Sequence, residues 1–287
     1  VAFPTETVYG LGANALDARA VERIYQAKGR PATSPLIVHC ADAEMARSLA
    51  AEWPSSADRL AREYWPGPLT LVLPKREVIP DCVTAGLGTV GLRVPRHPVA
   101  LALLRAAGVP IAAPSANPFM GLSPTQAGHV HPTLADLILE GGSSAVGIES
   151  TVISLAGPPT LLRPGMIPLA QLEQLLGLKL RTVVHSDGPH PSPGMHAQHY
   201  SPSTPLHLIP ASAPLPSGRG VWFGLTADRA DVQSIRMPNQ PELYAQRLYA
   251  ALHAADREGW DWIAIEAPPA DPDWDGIRDR LQRAQHS

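Results

Sequence analysis

Cysteine is nearly absent from this 287-residue sequence: there are two, Cys40 and Cys82, and neither belongs to a CxxC pair. A reduced, cytoplasmic chain is the default, with pairing of the two thiols as the alternative. No apolar run reaches membrane-spanning length. No signal peptide is visible, although the chain opens at Val1-Ala2-Phe3 inside what reads as a strand, so that absence carries little weight. Neither sign of charge is in excess: the net charge is -3 and the pI about 6.4. This argues against a global electrostatic grip on nucleic acid and leaves room for a local basic cleft. A Gly-rich phosphate fingerprint is missing too, since Gly10-Leu11-Gly12 is not a GxGxxG motif. What is plentiful is proline, 32 of 287 residues or about 11%, roughly twice average usage. It predicts many stiff loops around a core that 45% hydrophobic residues are ample to fill.

Periodicity divides the chain into three. An α/β domain is predicted over 1–181, a linker rich in Pro, Ser and His over 182–205, and a smaller, Rossmann-like α/β domain over 206–287. In the first, Asp17 caps a helix whose Val21, Ile24, Tyr25 and Lys28 share one side, and Gly29 and Pro31 end it. Further helices are expected over 43–52, 56–64, 98–107 and 168–176, with strands over 36–39, 69–73, 90–94, 109–113, 150–153 and 160–165. The alternation is not a clean βαβ repeat, so the expected sheet is twisted and mixed, with flanking helices. Ser123 is expected to cap a helix. In the smaller domain, strands at 206–209, 221–225 and 262–266 alternate with helices at 241–258 and 274–285.

Residues that carry chemistry gather in a few stretches. Lys28 and Arg30 precede the apolar run Leu36 to Val38. A compact ammonium and a planar guanidinium at the mouth of an α/β sheet suit phosphate or carboxylate oxygens. The plainer reading is a helix end whose dipole the cations complement. Arg93 stands among apolar neighbours in Val90-Gly91-Leu92-Arg93-Val94. Such an arginine needs an anion, either a structural carboxylate or a ligand. Pro114-Ser115-Ala116-Asn117 follows a strand at its carboxyl end, the favoured ligand edge of α/β sheets. His190, His196 and His199 have no cysteine and few carboxylates near them, so no zinc site is predicted.

Five stretches occur in order across about 165 residues: PTETVYGLG (from Pro4), KGRPATSPLIVH (from Lys28), TVGLRVPRHP (from Thr89), PSAN with the following SPT, and ESTV followed by LLRPG. Together they resemble the L-threonylcarbamoyladenylate synthase family of the YrdC type. The segment SPGMHAQHYSP resembles the connection to the C-terminal domain of the longer, two-domain members, so the resemblance covers nearly the whole chain. It implies a twisted mixed sheet enclosing a deep basic site. It also implies condensation of L-threonine, bicarbonate or CO2, and ATP into threonylcarbamoyl-AMP, with release of pyrophosphate. A separate transferase complex then carries the threonylcarbamoyl group to tRNA, next to the anticodon.

By the same resemblance, Lys28 and Arg30 are the catalytic cations on the triphosphate. Ser34, Thr89, Ser115, Asn117, Ser123 and Arg163 complete the ATP site, and Tyr200 closes over it from the linker. Thr5, His39, Arg93, Ser150 and the backbone at Ala113 form the threonine pocket. Mg2+ is expected with the ATP, held largely by phosphate and water, and no protein metal site is expected. Two positions depart from the family pattern: Ser34 stands where Asn is usual, with a shorter reach, and Ser154 where Asp is common. Three alternatives stay open. One is a carbamoyl-adenylate-forming relative, whose YrdC-like module sits in a larger chain with zinc-finger and acylphosphatase elements missing here. Another is an RNA- or tRNA-binding module without adenylate-forming activity, which the net charge disfavours. The third is a catalytically idle relative whose small domain mediates protein contacts.

Overall fold

The computed structural model describes residues 1–183 and 199–285. The chain opens with β1 (Ala2–Phe3) antiparallel to β2 (Gly10–Leu11), followed by β3 (Ala13–Asn14). Helix α1 (Ala18–Lys28) starts where Asp17 Oδ1 accepts from the amides of Arg19 and Ala20 at 2.9 and 3.3 Å. It stops at Gly29, in the left-handed region at φ 62°. Its buried face is Val21, Ile24, Tyr25 and Lys28, so the last turn carries an ammonium into the protein. Then come β4 (Ile37–His39), α2 (Ala43–Leu49), α3 (Ser55–Tyr64), β5 (Leu69–Pro74), α4 (Asp81–Thr84), β6 (Thr89–Arg93), α5 (Pro98–Ala107) and β7 (Ile111–Ala112). A long irregular stretch with one 3-10 turn at Ala127–His129 leads to β8 (Thr151–Ser154), β9 (Thr160–Arg163), α6 (Leu169–Leu176) and β10 (Arg181–Thr182).

Eight of these strands form one mixed sheet in the order β10-β9-β8-β5-β6-β4-β7-β3. Pairs β10/β9, β8/β5 and β6/β4 are parallel and the other four antiparallel. The β4/β6 register sets Ile37 beside Gly91 and His39 beside Arg93. By the two-residue alternation of strands, Ile37, His39, Thr89, Gly91 and Arg93 therefore share one face. The C-terminal α/β domain adds β11 (Leu206–Ile209), β12 (Gly220–Gly224), β13 (Gln233–Arg236), α7 (Pro241–Asp256), β14 (Trp262–Glu266) and α8 (Asp275–Ala284). Its four strands run parallel in the order β11-β14-β12-β13.

The two units are joined by a common core. Val8, Leu122, Ile148 and Tyr200 pack with Tyr244, Leu248, Leu252, Ile277 and Leu281. Two contacts are backbone against backbone. A Cβ added at Gly147 would stand 2.3 Å from the carbonyl oxygen of Ala245 on α7, and one at Gly276 on α8 would stand 2.6 Å from that of Gly165. Glycine is what lets the chains approach that closely.

One expectation changes. No α-helix follows Ser123; the hydroxyl donates instead to Glu149 Oε1 at 2.5 Å, because a buried carboxylate claims it before any helix amide can. Cys40 and Cys82 are both free, as the reduced default has it. His190 and His196 lie outside the described residues. Among the described residues, no helix is long and apolar enough to cross a membrane.

Candidate functional site

A cavity lies against the β4/β6 face. The turn between β1 and β2 contributes Thr5, Thr7, Val8 and Gly10. Arg30 enters from just beyond α1, Ile37 and His39 from β4, and Arg93 from the end of β6. Ala113, Pro114 and Ser115 come from beyond β7, Glu149 and Ser150 from before β8, and Arg163 from the end of β9. His199 and Tyr200 cover the remaining side. Nine residues singled out in the sequence thus meet in one place: Thr5, Arg30, His39, Arg93, Ala113, Ser115, Ser150, Arg163 and Tyr200.

Five others stand outside the lining. Lys28 Nζ donates to the carbonyl oxygens of Ser115, at 2.6 Å, and Asn117, so the ammonium braces the turn that bears Ser115. Burial, and then Arg30, hold its pKa well below the ordinary lysine value. Asn117 secures the same turn, its Nδ2 donating to the Pro118 and Gly121 oxygens, both at 2.8 Å. Ser34 is buried, and its carbonyl accepts from Tyr25 Oη at 3.0 Å. Thr89 shares the cavity face of β6 but lies four residues from Arg93, about 13 Å along the strand. Ser123 reaches the cavity only through Glu149.

Three arginines dominate the lining. Arg93 Nη2 makes an ion pair with Glu6 Oε1 at 2.7 Å, both side chains buried, and its Nε donates to the Gly67 oxygen at 3.2 Å. The carboxylate that an apolar strand arginine requires is thus Glu6, which also accepts the Arg96 amide at 2.9 Å. Arg163 reaches the Ser150 oxygen through Nε at 3.1 Å and Ser150 Oγ through Nη2 at 3.2 Å. Burial pulls the Arg30 pKa down to about 10, with Arg163 adding to the fall. Burial and then Arg93 bring His39 down to about 3, so its ring is neutral at physiological pH.

Arg30 Nε, His39 Nδ1 and Tyr200 Oη are all buried without a hydrogen-bond partner among the described residues. An unpaired buried polar group costs about 1–3 kcal/mol. Three of them on the wall of one cavity single it out as the candidate site. Tyr200 is also held at φ 63°, a strained backbone for a tyrosine, with its ring edge-on to His199 at 4.0 Å.

Comparison with known proteins matches residues 1–165 to the Sua5/YciO/YrdC profile, described as Telomere recombination. The chain belongs to the Sua5/YciO/YrdC family. Residues 167–285 match the profile described as Threonylcarbamoyl-AMP synthase, C-terminal domain. The threonylcarbamoyl-AMP synthase of Pyrococcus abyssi is 50% identical over 216 residues, 73% of this chain and 64% of that protein. That of Bacillus subtilis is 42% identical over 306 aligned residues, 99% of this chain and 88% of that protein. The crystal structure of P. abyssi Sua5 complexed with L-threonine superposes with a TM-score of 0.91 at 41% identity, covering 99% of this chain and 89% of that one. Full-length HypF, at 24% identity and a TM-score of 0.51 over 58% of this chain, shares the fold alone.

In and around this cavity, sequence reasoning passes over Glu6, Thr7, Glu149 and Arg280. Glu149 accepts from Ser123 Oγ at 2.5 Å, Tyr249 Oη at 3.2 Å and Arg280 Nε at 2.7 Å. Burial alone would raise its pKa, but Arg280, Arg163 and these hydrogen bonds outweigh it and the carboxyl lies below its ordinary value. Glu6 and Glu149 are the acids of the PTET and ESTV stretches. An acid inside a run of small hydroxyl residues is the signal that could have singled them out.

Proposed function

We propose that the protein makes threonylcarbamoyl-AMP. L-threonine, carboxylated on its amine by bicarbonate or CO2, presents a carbamate oxygen to the α-phosphorus of ATP. The new P–O bond forms as the bond to the β-phosphate breaks, and pyrophosphate leaves with the electron pair. Such a displacement asks the protein for positioning and charge stabilisation rather than for a nucleophile.

The observation that carries this reading is the set of three buried arginines around one cavity, with Arg30 Nε lacking a partner among the described residues. Arg30 and Arg163 face the phosphates in this reading, with Ser115 beside them. Arg93, held by Glu6, offers its remaining N–H donors to the threonine carboxylate, and neutral His39, Thr5, the Ala113 backbone and Ser150 complete that half. Lys28 acts one step back, fixing the Ser115 turn. Tyr200 covers the mixed anhydride and keeps water from it. The carboxylates near the cavity, Glu6 and Glu149, are both engaged by arginine, so Mg2+ enters on the triphosphate, with phosphate and water as its ligands. The product then passes to a transferase acting on tRNA. An RNA-binding module finds no support, since the clustered arginines are buried and the net charge is -3.

The test is pyrophosphate release from ATP and Mg2+, with and without L-threonine and bicarbonate. Release that requires both is expected. No release from a protein shown to be folded overturns the reading.

A further inference from the structure

One basic residue at the cavity comes from the other end of the chain. Arg280, on α8, is 1% exposed. Its Nε donates to Glu149 Oε2 at 2.7 Å, its Nη2 to the Glu149 carbonyl oxygen at 3.3 Å, and its Nη1 to the Pro164 oxygen at 3.0 Å, next to Arg163. Its guanidinium carbon lies 5.3 Å from the centre of the Tyr200 ring. The three residues it meets or adjoins, Glu149, Arg163 and Tyr200, all line the cavity.

Electrostatics gives this arrangement a purpose. Glu149 is the carboxylate of the lining, and an anionic ligand must come to rest beside it. Uncompensated, its charge would repel the ligand and draw Arg163 onto itself. Asp279 also touches Arg280 Nη1, at 2.5 Å, and Arg283 pairs with Asp279 at 3.0 Å, so Arg280 is itself held from behind. Residues 199–201 are tied to both units: the His199 amide donates to the Arg283 oxygen on α8, and the Ser201 amide to the Met120 oxygen, both at 2.9 Å.

We propose that Arg280 is a positioning residue through which the C-terminal domain sets the charge of the cavity: it neutralises Glu149 and steadies Tyr200, leaving Arg163 for the anionic ligand. The identity of that ligand as ATP rests on the proposed function; the positioning role does not.

Two readouts test it. In pyrophosphate release, Arg280→Met is expected to raise the KM for ATP tenfold or more and the KM for threonine by less than twofold. Adding Glu149→Gln removes the charge that the first change exposes, and should bring the ATP constant back to within about threefold of wild type. Arg257→Ala is the control: its Nη2 donates to the Gly128 oxygen at 3.2 Å, across the same interface but away from the cavity, and it should leave both constants unchanged. Equal rises for both substrates, no rescue by Glu149→Gln, or the same effect from Arg257→Ala would each overturn the proposal. The second readout needs no nucleotide. Hydrogen exchange at the Ser201 amide should quicken at least tenfold in Arg280→Met and not in Arg257→Ala; unchanged exchange in Arg280→Met overturns the proposal. Should Arg280→Met fail to fold, Arg280→Lys, which keeps the charge and loses the planar fork, is compared with and without Glu149→Gln against the same limits. If wild type releases no pyrophosphate, the proposed function fails, and the exchange measurement alone decides the role of Arg280.

Discussion

The protein contains two α/β units that treat their polar groups in opposite ways. At the carboxyl edge of the parallel C-terminal sheet, where such folds receive ligands, the Leu225 and Thr226 amides donate to Glu266 Oε2 at 2.7 and 2.9 Å. Thr226 Oγ1 adds a bond to Oε1 at 2.6 Å. The chain fills its own anion site with its own carboxylate. On the mixed sheet the imbalance runs the other way: three arginines line a cavity where Arg30 Nε and His39 Nδ1 have no partner among the described residues. An α/β architecture alone therefore does not indicate a ligand site. Several unmatched polar groups gathered on the wall of one cavity do.

That contrast can be broken by mutation. The largest effect is expected from Arg30→Ala. If Arg30 serves developing phosphate charge, kcat/KM for pyrophosphate release should fall about 100–1000-fold, or roughly 3–4 kcal/mol. Stability in urea should change by less than about 1 kcal/mol, since a desolvated cation with few bonds is being removed. A drop in stability matching the drop in rate would make Arg30 structural. Glu266→Ala should do the reverse, lowering stability by about 1–3 kcal/mol as its donors lose their acceptor, with pyrophosphate release unchanged. Lost activity there would turn the C-terminal edge into a working site.

The smallest effect concerns the joint between the units. His129 and His253 stack across it, ring centres 4.1 Å apart. Burial first, then His253 and Arg257, brings His129 down to about 4, and burial likewise lowers His253. Both are thus favoured neutral in the folded protein, whereas in the unfolded chain histidine titrates near 6.5. The stability they contribute is complete above pH about 6.5 and declines as the pH falls toward 4. His39 acts with the same sign. The melting temperature should drop between pH 7.5 and 5, and His129→Asn should flatten the decline; an unaltered slope would remove the histidine stack from the account.

What could be read from the sequence was local. Asp17 and Gly29 bracket α1 where an acceptor and a left-handed residue were needed, and Pro98 to Ala107 is a helix with the expected bounds. The cavity residues of the quoted stretches do converge. Strand β13 escaped because Gln233 to Arg236 forms a polar, partly exposed edge with no apolar alternation. Lys28 illustrates a different gap. Its charge and burial are legible from helical spacing, but its partners are main-chain oxygens 87 and 89 residues away, which no side-chain pattern reveals. The Arg280–Glu149 pair, 131 residues apart, is hidden for the same reason.

The glycine contacts at 147 and 276 bear on domain grafting. Most interfaces can be re-cut by exchanging side chains, because side chains make them. Here main chain also rests on main chain at two points, so a replacement for the C-terminal domain has to copy more than the side chains of the common core. It has to bring a helix that presents bare backbone to Gly147, another whose glycine fits over Gly165, and one turn beyond that glycine an arginine long enough to reach Glu149. Beyond the shared core, a chimera is therefore constrained by shape at two points and by charge at one.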